Sequence, residues 1–80
     1  MIYKSKGYRL KEEFGVIVRR YRHKMGLSQE EFADKADIHR TYVSSIELGK
    51  VDVGISIAHK VAAALNLPLS KLVKEAEKNT

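Results

Sequence analysis

An all-α fold, five short helices packed as one small domain, is what this sequence predicts. Three observations carry that expectation. Apolar residues recur at spacings of three and four along most of the chain, and the strict alternation of a strand is absent over any useful length. Glycines and turn-forming residues separate the periodic stretches, with the single proline, Pro68, ahead of the last one. The length of 80 residues suits one domain, and a hydrophobic fraction of 44% is ordinary for a folded chain and too high for a disordered one.

The first helix is expected from about Leu10 to Met25. Leu10, Phe14, Ile17, Val18, Tyr21 and Met25 fall on one stripe, and Gly26 ends the helix because glycine enters the left-handed region without steric cost. Residues 1–9 precede that stripe and read as a basic N-terminal arm.

The second helix has the clearest start. Ser28-Gln29-Glu30-Glu31 is a capping box, in which the Ser28 hydroxyl accepts the Glu31 backbone N–H and the Glu31 carboxylate reaches back, with Leu27 and Phe32 at the staple positions. It should run to about Ala36. A short turn, Asp37-Ile38-His39, leads into a third helix from Arg40 to Leu48, stopped by Gly49. After the loop Lys50–Gly54, a fourth helix at about 55–65 puts Ile57, Val61, Ala64 and Leu65 on one face. A fifth follows Asn66-Leu67-Pro68, carries Leu69, Leu72, Val73 and Ala76, and frays from Glu77.

Charge is unevenly placed. Residues 1–24 hold eight cations and two anions, a net +6, while residues 25–80 hold seven cations and eight anions, a net −1. A cationic patch attracts polyanions over ~8–10 Å at physiological salt, and nucleic acid, an anionic membrane surface and plain solvation all remain open on charge alone.

Several chemistries are disfavoured. There is no cysteine, which excludes disulfides, thiolate metal sites and a Cys nucleophile, and fits a reducing cytoplasm. His23, His39 and His59 lack metal-ligand spacing, so no metal or other cofactor is expected. Glu12-Glu13 and Glu30-Glu31 are adjacent pairs whose side chains diverge by about 100° on a helix, which does not make a carboxylate couple. No glycine-rich phosphate loop follows a strand. The longest apolar run, Val61-Ala-Ala-Ala-Leu65, is far short of the ~20 residues that span a bilayer, and Met1-Ile-Tyr-Lys-Ser-Lys6 has no signal-like apolar stretch. An enzyme is not expected.

Residues 28–49 carry the function. Two helices of about eight residues joined by three cannot fold back antiparallel and must cross steeply, which requires a small residue at the crossing, and Ala33 supplies it. The third helix buries Val43 and Ile46, with Glu47 beside them, and leaves Arg40, Thr41, Ser44, Ser45 and Leu48 on its outward arc. Hydroxyls and a guanidinium suit base edges and phosphates in a major groove wide enough to take a helix. The competing reading is an ordinary solvated face, and serines are common on such faces.

The stretch Gly26-Leu-Ser-Gln-Glu-Glu-Phe-Ala…Ile38…Tyr42-Val-Ser-Ser-Ile-Glu-Leu-Gly49 resembles the helix-turn-helix domain of the lambdoid repressor and Cro type, over about Phe14 to Val73. Arg40-Thr-Tyr-Val-Ser-Ser-Ile-Glu47 also resembles the controller proteins of restriction–modification systems. The resemblance implies a helix-turn-helix domain over residues 10–80 and a sequence-specific regulator bound to double-stranded DNA. Gln29 would hydrogen-bond the phosphate backbone or an outer base. Arg40, Thr41, Ser44 and Ser45 would read bases or flanking phosphates. Tyr42 would either cover the edge of the core or place its hydroxyl on a phosphate, and Lys50 would contact the backbone. Arg22 and Glu47 match an internal ion pair tying the first helix to the third.

This chain departs from the pattern at two positions. Asp37 stands where the turn usually has glycine, at some conformational cost. His39 stands where Ser or Thr usually opens the third helix, so it caps more weakly or faces DNA instead. The reader itself, residues 27–49, sums to −3, so the attraction to DNA must come from the first helix and the arm, with Arg40 and Lys50 acting locally.

One module contacts few base pairs, and two related by a dyad would read half-sites about one helical turn apart. Leu69, Leu72, Val73 and Ala76 are therefore expected to form an isologous homodimer contact, against the alternative that the whole stripe packs internally. The resemblance implies action on the chain's own promoter and on an endonuclease gene, activating at low occupancy and repressing at high, with RNA polymerase as a further partner. The alternatives are an antitoxin of the same fold and a protein adaptor that no longer binds DNA.

Overall fold

The computed structural model describes residues 2–79, with side chains from residue 9 onward. Its elements are α1 (Ile2–Lys24), α2 (Gln29–Ala36), α3 (Arg40–Glu47), α4 (Ile55–Ala64) and α5 (Leu69–Lys78), with no strand among the described residues. α1 packs against both α3 and α5, α2 against α3 and α4, and α4 against α5. The core is the sum of the apolar stripes: Ile17 and Val18 from α1, Phe32 from α2, Val43 and Ile46 from α3, Val61 from α4 and Leu72 from α5 are all fully buried. Burial of each stabilises the fold by roughly 1.5–3 kcal/mol.

The chain follows its expected boundaries closely except at the first helix. The arm expected over residues 1–9 is helical from Ile2. The apolar stripe read from the sequence begins at Leu10; ahead of it no proline interrupts the helix, and Gly7 costs about 1 kcal/mol relative to alanine. The side chains of Lys4 and Lys6, part of the expected cationic arm, lie outside the described residues.

The dimer expectation needs a correction as well. Leu72 and Ala76 are 0% exposed, so they belong to the core and cannot meet a second copy. The apolar stripe of α5 turns inward at these two positions, on the side where the helix packs against α1 and α4. Only Leu69 and Val73 of the expected four stay half-exposed, at the rim of an apolar groove.

Candidate nucleic-acid interface

The geometry of the helix pair starts with its caps. Ser28 Oγ accepts the Glu31 N–H at 3.0 Å, and Glu31 Oε1 accepts the Ser28 N–H at 2.8 Å, completing the capping box. The Ser28 backbone N–H, and after it the Ser28 hydroxyl, hold the Glu31 carboxyl below the usual carboxylate range. At the other end Asp37 adopts the left-handed conformation (φ 57°, ψ 47°) that its position in the turn requires. The Ile38 N–H then reaches back to the Ala33 carbonyl at 3.0 Å, closing the end of α2. Ala33 is buried at the crossing, as a close approach of two helices demands.

α3 is capped by His39. Its Nδ1 accepts the Thr41 N–H at 3.1 Å, which fixes one edge of the ring on the protein while the residue as a whole stays exposed. Gly49, at φ 70°, lets the Lys50 N–H return to the Ser45 carbonyl at 3.0 Å and ends the helix. With Val43 and Ile46 buried, the outer side of α3 is open: Arg40 and Thr41 are exposed, Ser44 and Ser45 half-exposed, and Leu48 is 62% exposed. Lys50 is exposed beyond the end of the helix. Among the described residues, none of these outward side chains is buried. Tyr42, by contrast, is half-buried and packs against the core.

The orientation of α3 is set by a buried polar cluster. Arg22 Nε donates to Glu47 Oε2 at 2.6 Å and its Nη2 to Glu47 Oε1 at 3.0 Å, with only 8% and 3% of the two side chains exposed. Arg22 Nη1 also donates to the Leu27 carbonyl at 2.7 Å, so one side chain ties α1 to α3 and to the loop before α2. The hydrogen bonds to Glu47 raise the Arg22 pKa, against a burial that lowers it, and the guanidinium stays charged.

Gln29 joins the same cluster. Its Nε2 donates to Glu47 Oε1 at 3.1 Å, so the residue expected to touch phosphate is held in place by the ion pair below it. An amide nitrogen carries two protons, and this bond uses one.

Three features went unread in the sequence. The Gln29–Glu47 bond joins residues far apart in the chain, and no spacing rule marks it. The tie from the Tyr21 hydroxyl to Glu75 Oε2, 2.6 Å, is equally non-local. Gly15 was legible in principle: a lone glycine inside an apolar helical stripe signals a close backbone approach. In the structure it faces the carbonyl oxygens of Ile46 and Glu47.

Comparison with known proteins agrees with this geometry. The helix-turn-helix family profile matches residues 18–72. The chain is 43% identical to control protein C.MunI of Mycoplasma sp over 86% of this chain and 95% of that protein. It is 39% identical to control protein C.SmaI of Serratia marcescens over 80% of this chain and 76% of that protein. Among solved structures, the restriction-modification controller protein C.AhdI of Aeromonas hydrophila superposes with a TM-score of 0.77 at 34% identity, over 81% of this chain and 94% of that one.

Proposed function

The chain belongs to the helix-turn-helix family, as a DNA-binding transcriptional regulator similar to restriction-modification controller proteins, and from that premise we propose that it acts as a homodimeric controller on a palindromic operator. The observation that carries the reading is the open outer side of α3, held outward by the buried Arg22–Glu47 pair. In this reading Arg40 pairs with a base edge at the N-terminal turn of α3, where a guanidinium contributes ~1–3 kcal/mol of discrimination. Thr41, Ser44 and Ser45 add base or flanking contacts, Gln29 and Lys50 hold phosphates, and His39 and the edge of Tyr42 lie at the margin of the contact.

Dimerisation rests on the groove between α1, α4 and α5. It has a volume of about 330 Å³ and is bordered by Phe14, Val53, Leu69 and Val73. Ile55 projects at its edge, 79% exposed. A projecting apolar side chain beside an apolar groove is self-complementary under a two-fold axis, each Ile55 entering the other copy's groove. A dimer places two α3 helices for half-sites ~34–36 Å apart on one face of the duplex. Cytoplasmic action on the chain's own promoter, with RNA polymerase as the partner in activation, completes the proposal.

Selection from a randomised duplex library tests it. The expected pool is enriched in palindromes with that half-site spacing. A pool with no enrichment contradicts sequence reading, and an enriched single half-site contradicts the dimer.

A further inference from the structure

We infer that Arg19, and not its neighbour Arg20, is the α1 cation that grips the DNA backbone, in a phosphodiester subsite beside the reading helix. The inference rests on the DNA-binding reading above and adds a residue to it. A concavity of about 200 Å³ lies where α1, α2 and α3 meet, lined by Arg19, Arg22, Gln29, Ser44, Glu47 and Leu48. Ser44 and Leu48 are one turn apart on the outer side of α3, so the concavity opens on the same side as the residues proposed to read bases. A duplex lying along α3 therefore carries a strand of its backbone across this opening.

The chemistry of the lining suits a phosphate diester. The floor is the Arg22–Glu47 pair, whose charges cancel and whose hydrogen bonds to each other leave no net anion facing the opening. Gln29, fixed by Glu47, brings a carboxamide to the wall, and Ser44 brings a hydroxyl. Leu48 supplies an apolar lip that a deoxyribose can lie against. Arg19, exposed at the rim, is the net positive charge of the site.

Arg20 is placed differently. At 100° per residue it points about 160° from Arg22 around α1, whereas Arg19 points about 60° from it. Arg20 thus sits toward the α5 side, where with Lys71 it acts on the Tyr21 phenol. The two adjacent arginines face separate surfaces, and one of them alone borders the reading helix.

Salt-dependent binding of the full chain to a mixed-sequence duplex, followed by fluorescence anisotropy, separates them. Each phosphate contact contributes about 0.9 to the slope of log K against log salt. Arg19→Ala is expected to lower the slope by about 0.9 per bound copy, Arg19→Lys to restore it, and Arg20→Ala to leave it unchanged. Equal slopes for Arg19→Ala and Arg20→Ala, or a larger loss with Arg20→Ala, overturn the inference while leaving the DNA-binding reading intact. No binding by the unsubstituted chain overturns both. Both side chains are exposed, so unchanged thermal midpoints for the three variants are expected.

Discussion

Gly15 of α1 lies directly against the backbone carbonyl oxygen of Ile46 on α3, with no space between them for a methyl group. This contact sets how near α1 approaches the end of the reading helix, and it brings Arg22, two turns further along α1, to within reach of Glu47. The backbone contact and the ion pair are two supports for one orientation.

Gly15→Ala is expected to destabilise the fold by about 1–3 kcal/mol, at the upper end of the range for overpacking because the opposing atom is backbone and cannot swing aside. Urea denaturation measures the loss. Gly54, whose added Cβ would meet nothing, provides the comparison and is expected to tolerate alanine with far less change. Equal costs at the two positions would argue against the close approach.

Arg22→Ala leaves Glu47 buried without its partner, at a cost of ~3–5 kcal/mol. Replacing both residues by apolar ones, Arg22→Met with Glu47→Leu, is expected to recover most of that stability, since a buried pair repays little more than its own desolvation. The double variant also releases Gln29, so its DNA affinity should stay low after its stability has returned. Recovery of both together would show that the pair does not position the interface.

The Tyr21–Glu75 bond between α1 and α5 predicts a stability loss at both ends of the pH scale. Hydrogen bonding from Tyr21 holds the Glu75 carboxyl below its ordinary value, and the same bond, ahead of burial, raises the Tyr21 phenol. The lowered carboxyl contributes stability that is complete above about pH 4.3 and disappears as pH falls through its folded value. The raised phenol contributes stability that is complete below about pH 10 and disappears as pH rises through its folded value. Urea midpoints measured across pH should show Tyr21→Phe converging on the parent chain in both acid and alkali. The capping-box carboxylate of Glu31, also lowered, keeps a residual acid sensitivity in that variant. A constant offset between the two chains at every pH would contradict the assignment.

Legibility followed locality. The capping box at Ser28, the left-handed turn at Asp37 and the glycine stop at Gly49 depend on residues within a few positions of one another, and each stands in the structure where the sequence places it. The Arg22–Glu47 pair is long-range, and it was readable because the family resemblance supplied it. Periodicity identifies the faces of α5 but not their depth: Leu72, Ala76, Leu69 and Val73 share one stripe, and the packing of α5 against α1 and α4 decides which of them are sealed. The start of α1 escaped for a different reason: residues 2–9 are rich in Lys and Arg and carry no periodic apolar stripe to mark them as helical. The expectation for Gln29 is a contact to phosphate or an outer base; its hold by Glu47 carries no sequence signal, because it is set by the crossing of two helices.

DNA reading by the outer side of α3 is examined most directly by Arg40→Ala. Binding is measured for the parent chain and the variant on a library-selected duplex and on a scrambled one, across a range of salt. The variant is expected to lose its preference for the selected duplex and to retain salt-sensitive binding to both. A variant that still prefers the selected duplex by the parent's full margin would contradict that reading.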